Sequence, residues 1–258
     1  MGIDFVVGTQ TKIELVSANH GVVRVPLAQT FDYTPAFDEK RIFEFDSPEA
    51  VAIVTNFNGV EVRFDHFDSD SKLVDAMVND LDPAATATVD DPSQYKDLYI
   101  FVNVRKKSDN KIFQSVLCKG VRLTGAAVAE PVRDEATIAR SGIAINVLRL
   151  KGVALEYTRA MRALSTGFAQ GVANSREDSV AVAAPGTGPT TAYTWDVTNT
   201  PQVVSASDGD LDGKALICVL KNGSEYTGAT LTGSTISVPA ADFGANDVFE
   251  AFTTYIEA

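Results

Sequence analysis

The chain is poor in the side chains that most often build active sites: its 258 residues hold two histidines, two cysteines and one tryptophan. With only His20 and His66 available, a His-rich metal site is excluded. A Ser-His-Asp triad would have to use one of the two, and no G-x-S-x-G elbow accompanies either. There is no C-x-x-C and no G-x-G-x-x-G. Gly213-Lys214 lacks the rest of a phosphate loop, because Ala215 replaces the Ser/Thr and Asp208 stands where the upstream glycine belongs. No apolar run approaches the ~18–20 residues of a membrane span. The start, MGIDFVVGTQTK, carries an acid where a signal peptide would be basic. Val6 also stands where a myristoylation signal needs Ser or Thr. Synthesis and folding in a cytoplasm are expected. Cys118 and Cys218 lie in apolar, strand-like runs (SVLCKG, LICVL), and they are expected to be buried free thiols in a reducing compartment.

Positive charge is also scarce. The net charge is −12, which argues against a protein whose task is to hold nucleic acid, since that requires Lys and Arg to replace counterions. The deficit is uneven. Residues 1–165 carry 23 acids against 19 bases, and residues 166–258 carry 11 against 3, so the net values are −4 and −8. Such different surfaces suggest two modules.

What is present is mostly strand pattern. In AVAIVTNFNGVEVRFDHF (50–67), Asn58-Gly59 predicts a hairpin turn. Beyond it, Val60, Val62, Phe64 and His66 alternate with Glu61, Arg63 and Asp65, which predicts one buried and one wet face. A second hairpin is expected over 97–125, turning at Ser108-Asp109-Asn110, and a third strand pair over 141–157, bending at Lys151-Gly152. One helix is expected at about 70–82, where Leu73, Met77 and Leu81 recur four apart, Asp70 or Ser71 caps the start and Pro83 ends it. AAPGTGPTTA (183–192) reads as a linker. Beyond it, short strand-like runs separated by turn residues suggest a small sandwich of the Ig-like sort.

Few residues offer chemistry. DGDLDGK (208–214) opens like a calcium loop, with Asp208, Asp210 and Asp212 as weak candidate metal ligands. The twelfth position is Val219, where such a loop needs a bidentate Glu, and the flanks are strand-like. A turn between strands explains the stretch better. DHFDSD (65–70) alternates histidine with carboxylates and could take a transition metal through Asp65, His66 and Asp68. Acids at a strand end before a helix start explain it equally. Arg105-Lys106-Lys107 reads as a solvated turn rather than a nucleic-acid grip, because interleaved aromatics are missing. Trp195, between Tyr193 and Val197 in an alternating strand, reads as core before sugar platform. No catalytic residue and no cofactor is assigned, and no enzyme is expected.

The order of segments over 41–162 nevertheless has a counterpart. RIFEFDSPEAVAIVTNFNGVEVRFDHFDSD leads into the helical stretch, then LDPAATATVDDPSQYKDLYIFVNVRKK, KIFQSVLCKGVRLTG and EPVRDEATIARSGIAINVLRLKGVALEYTR. This order resembles the tail tube (major tail) proteins of long-tailed bacteriophages and related phage-derived particles. The likeness covers about half the chain. It implies a mainly β fold, a sandwich or barrel with one flanking amphipathic helix, over 1–165. A linker at 166–190 and an acidic Ig-like β domain at 191–258 would follow. It further implies a structural virion protein, made in the host cytoplasm, that forms stacked, hexameric homo-oligomeric rings and contacts other tail proteins. DNA would pass through the channel without specific binding, and no membrane partner is implied. The inter-subunit and lumen residues are not fixed by it. A two-domain carbohydrate- or surface-binding β-protein using exposed aromatics near Tyr193 and Trp195 is the rival reading. An enzyme using Asp65, His66 and Asp68 is the third.

Overall fold

A computed structural model of the chain describes residues 12–17, 21–25, 28–43, 50–67, 97–106, 109, 111–129, 137–163, 167–171, 181–183, 192–205, 211–244 and 247–257. Among these, the regular elements are strands apart from one 3-10 turn at Ala240–Asp242. The expected helix at 70–82 lies outside the described residues, as do His20, Asp68, Asp208 and Asp210.

The strands form three sheets stacked in sequence. The first contains β1 (Lys12–Ser17), β2 (Gly21–Arg24), β3 (Ala28–Phe43), β4 (Ala50–Phe67), β5 (Leu98–Arg105), β6 (Ile112–Ala129) and β7 (Thr137–Lys151). Their order is β2-β1-β5-β6-β7-β4-β3, and every neighbouring pair is antiparallel. The second sheet holds β8 (Ala154–Ala163), β9 (Gly167–Gly171), β10 (Ala181–Ala183), β12 (Leu216–Lys221), β13 (Ser224–Glu225) and β16 (Val248–Tyr255). The third is β11 (Ala192–Asp196), β14 (Thr230–Thr232) and β15 (Thr235–Pro239).

Period-2 patterning sets how each sheet buries its faces. On β4, Val60, Val62, Phe64 and His66 are buried while Glu61 and Arg63 are exposed, as the alternation predicts. These residues share one core with Ile13 and Leu15 of β1, Val23 of β2, Ile100 and Val102 of β5, and Cys118 of β6. Phe31 and Tyr33 of β3 pack against it. Strands at both ends of the sheet order therefore face the same interior, and β1 approaches β3. The sheet curls into a rolled, barrel-like layer.

The outer face of β1, β5 and β6 is buried as well. Val16, Tyr99, Phe101 and Leu117 pack against Leu155, Tyr157, Leu220 and Phe252 of the second sheet, with the Tyr99 and Phe252 rings stacked at 6.0 Å. On its other face the second sheet meets the third. Ala160, Val219, Phe249 and Ala251 enclose a core with Trp195, Ile236, Val238 and Phe243, where the Phe243 and Phe249 rings stack at 4.5 Å. The architecture is a rolled sheet, a shared middle sheet and a small outer sheet.

The middle sheet joins distant parts of the sequence. β8 pairs with β16 over eight positions, from Ala154↔Tyr255 to Met161↔Val248. Within 166–190, β9 pairs back on β8 and β10 on β9. The C-terminal segment thus completes a sheet that β8 begins.

β5 and β6 pair as the second hairpin predicts: Arg105 pairs with Ile112, and the side chain of Asp109, the described residue of the expected turn, accepts the Lys111 N–H at 3.1 Å. Two other expectations are corrected. Asn58-Gly59 is not a reversal, since β4 runs unbroken through it for 18 residues. Its pairing with β3 shifts there, between Pro35↔Val60 and Phe37↔Phe57. The positive φ that makes glycine a hairpin residue serves a bulge equally well, and Gly59 has φ 102°. Residues 141–157 do break at Gly152 (φ 72°), but β7 and β8 are not a pair. The glycine turns a corner from the first sheet into the second.

Gly59 is also sterically fixed. A Cβ there would lie 2.7 Å from Ile143 Cγ2 and 2.8 Å from the Ala144 carbonyl oxygen. Gly59→Ala is therefore expected to destabilise the fold by about 2–4 kcal/mol, from backbone strain plus overpacking. Urea unfolding measures it, and a loss under about 0.5 kcal/mol would sink the assignment, being within the range of ordinary surface changes.

Candidate assembly surface

Gly59 stands at a fork. Below it, β4 pairs with β7 from Phe67↔Thr137 to Val60↔Ala144. Above it, β4 leaves β7 and continues with β3 alone, from Phe37↔Phe57 to Phe43↔Ala50. The result is a two-stranded arm projecting past the body of the sheet. Residues 145–151 of β7 keep β6 as a neighbour on one side, from Lys119↔Asn146 to Gln114↔Lys151. Among the described residues no strand pairs with their other side.

Large apolar side chains gather at this fork. Phe37 and Phe57 face each other at the base of the arm, rings 5.6 Å apart, and both are more than half exposed. On β7, Ile143 lies against Gly59 and Ile145 is 70% exposed. The strand geometry explains Ile145. Cys118 and Val121 on β6 both face the rolled core, three residues apart, and so do their partners Val147 and Ala144. Alternation breaks on both strands at once. Gly120 (φ 57°) takes up the break, and Ile145 lies across it, its Cδ1 2.6 Å from where a Gly120 Cβ would be.

Sequence reasoning did not single out these residues. A signal was available: AINVLRL (144–150) has apolar residues at both parities, too many for a strand with one wet face.

The residues expected to carry chemistry are dispersed. His66 is wholly buried in the rolled core, its ring 6.1 Å from Phe64. Asp65 points the other way along β4. It accepts the Thr30 hydroxyl at 2.8 Å and lies 3.6 Å from Arg63. Successive strand residues face opposite sides, so Asp65 and His66 do not share a site. Asp212 is exposed in the turn at 211–213, where the Gly213 N–H donates to the Val204 carbonyl and the Val204 N–H to the Lys214 carbonyl. The described part of DGDLDGK, 211–214, thus sits at a backbone-bonded turn. Among the described residues no group of three His, Cys, Asp or Glu gathers at metal-binding spacing.

The basic run and the aromatic pair have structural roles. Arg105 makes a bidentate pair with Glu257, one bond at 2.6 Å, so its charge ties the C-terminus to the β5–β6 hairpin. Lys107 lies outside the described residues. Trp195 is 2% exposed and its indole N–H donates to the Thr158 hydroxyl at 3.1 Å. Tyr193 packs on Phe243 at 5.3 Å. A buried tryptophan offers no platform for a sugar. Cys118 and Cys218 are free, and burial pushes both thiols up to about 12.

Two buried carboxylates hold the layers. Glu156 accepts the backbone N–H groups of Thr198 and Asn199 and the Asn199 amide, at 2.6–3.0 Å, fixing the chain as it leaves β11. Glu250, fully buried on the face toward the rolled sheet, accepts the Tyr157 hydroxyl at 2.6 Å. Burial raises the Glu250 pKa, against the smaller lowering effects of Tyr157 and Arg159. Burial likewise pushes the Tyr157 hydroxyl well up, and the Glu250 charge adds to it.

No described helix is long and apolar enough to cross a membrane. No protein-family model matches the chain, and no curated protein matches it. Solved structures do. A chain of the extended sheath–tube complex of an extracellular contractile injection system is 7% identical with a TM-score of 0.38, over 57% of this chain and 92% of that one. A chain of the anti-feeding prophage baseplate is 7% identical with a TM-score of 0.38, over 58% and 98%. The SPP1 tail tube is 11% identical with a TM-score of 0.35, over 57% and 80%. The neighbours of this chain among solved structures are thus components of phage-type tail tubes and injection particles, at low identity and low TM-score.

Proposed function

We propose that this chain is a structural subunit of a phage-type tail tube, assembling into stacked hexameric rings around a channel for DNA. The observation that carries the reading is the forked first sheet. A projecting arm, a half-open strand and exposed Phe37, Phe57 and Ile145 meet at one place. In a monomer, such an edge is a liability that proteins normally blunt. In a ring, each copy covers the next one's edge. The segment order over 41–162 supports the same reading, since it resembles that of tail tube proteins.

In this reading residues 1–165 build the tube wall and residues 191–258 form an Ig-like layer on it, with 166–190 between. The net charge of −4 over residues 1–165 suits a channel wall that repels phosphate, so that DNA slides without sticking. Other tail proteins would contact the ends of the stack, and the protein would reside in the virion after synthesis in the host cytoplasm. It acts through its assembled shape rather than by catalysis.

Purified protein is expected to form rings or tubes, visible by negative-stain microscopy and as ring-sized particles by light scattering. A chain that stays monomeric at every concentration and salt condition tried would sink the proposal.

A further inference from the structure

The open half of β7 has a charge and a length that select its occupant. Residues 145–151 read INVLRLK, with Arg149 and Lys151 both exposed and no acid present. The other limb of the fork, residues 50–58 of β4, carries no charge. An added strand would gain backbone hydrogen bonds along seven residues and cover Ile145, which is 70% exposed.

We infer that this edge receives strand β3 of a second copy of the chain, in a head-to-tail contact. The inference rests on the ring-forming reading above. Length decides first. Among the described residues, the end strands of the sheets are β2, β3, β10, β13, β11 and β14. Of these, β3 has 16 residues and the others have five or fewer. Among the described end strands β3 alone is long enough to cover the open stretch. The open edge of β4 over 50–57 is long enough too, but it carries no charge to match Arg149 and Lys151. Its Pro35 is at home on an edge strand, where a missing N–H breaks no ladder.

Charge decides next. The first twelve residues of β3, 28–39, carry Asp32, Asp38 and Glu39 and no base, with Lys40 and Arg41 following toward its end. This acidic part is complementary to Arg149 and Lys151. Two β7 edges meeting across a dyad would instead bring like charges together, which is disfavoured. A contact between two different edges is heterologous, and it closes into a ring when the rotation per copy divides the circle.

Charge reversal tests the pairing. The chain carrying Arg149→Glu and Lys151→Glu is expected to keep its strand circular dichroism and melting temperature. It should need at least about tenfold more protein to form rings than the unmodified chain. Adding Asp32→Lys and Asp38→Lys to the same chain is expected to restore most of that loss, because each contact then has both signs exchanged. Ring formation by the reversed chain at unmodified concentrations, or no recovery in the fourfold variant, would overturn the pairing. If the reversed chain folds poorly, the milder Arg149→Gln, Lys151→Gln chain is read the same way, with a rise of about threefold expected. An unmodified chain that never assembles overturns the tail-tube reading together with this one. Rings indifferent to the reversal overturn the edge pairing alone.

Discussion

Trp195→Ala is expected to remove about 3–5 kcal/mol of stability, the range for truncating a large buried aromatic. The side chain is 2% exposed among Ile236, Val238 and Phe249, and its indole N–H satisfies the Thr158 hydroxyl, itself wholly buried on β8. Alanine would leave a cavity between the middle and outer sheets and a hydroxyl without its indole partner. The melting temperature should fall by roughly 10 °C for a chain of this size. Trp195→Phe separates the two contributions: it keeps an aromatic ring but loses the N–H, and about 1–2 kcal/mol should go. Circular dichroism is the right probe, because the chain has no second tryptophan to report by fluorescence. A loss below about 1 kcal/mol for the alanine variant would mean that the outer sheet is not seated on β8 as described.

Glu250 is expected to give the protein a pH dependence of unusual sign for a carboxylate. Its pKa is raised in the fold, chiefly by burial. Its contribution is therefore fully present below the unfolded value of about 4.5 and is lost as pH rises through the folded value. Glu250→Gln cannot ionise, so its stability should change less between pH 5 and pH 9, and at pH 8 it should equal or exceed the unmodified chain. Tyr157→Phe removes the hydroxyl that donates to Glu250. It should cost about 1–3 kcal/mol, because a buried carboxyl oxygen loses its donor. Chemical unfolding at the two pH values checks both variants. An unchanged pH slope in Glu250→Gln would show that the carboxylate is not what titrates. Asp247 runs the other way: its pKa is lowered, first by the Asn222 amide and then by Lys221 and the Gly244 N–H. Its share of stability is present above the unfolded value and fades in acid.

Local pattern made much of the fold legible. The alternation from Val60 to His66, the turn at Asp109, the break at Gly152 and the burial of Trp195 are short-range matters of side-chain period and turn chemistry. They came out as the residues said. Asn58-Gly59 did not. The same dipeptide serves a hairpin and a bulge, and the choice lies in whether β3 and β7 are present to pair on both sides of β4. The candidate ligands at Asp65 and His66 failed for a related reason. Neighbours in sequence on a strand point apart, so a cluster of letters is not a cluster of atoms.

The assembly surface was the least legible feature. Phe37 and Phe57 are 20 residues apart, and they meet only because β3 and β4 pair in one register. Ile145 looks like an ordinary strand residue until the joint break with Gly120 turns it outward. The amino-acid sequence by itself determined a strand-rich, acidic chain without the residues of familiar active sites. Tertiary structure alone decided that β4 forks from β7, that β8 and β16 share a sheet, and that Glu250 lies buried against Tyr157. Strand pairing joins residues far apart in the chain through backbone groups that every residue carries, so side-chain letters do not encode which strands will meet.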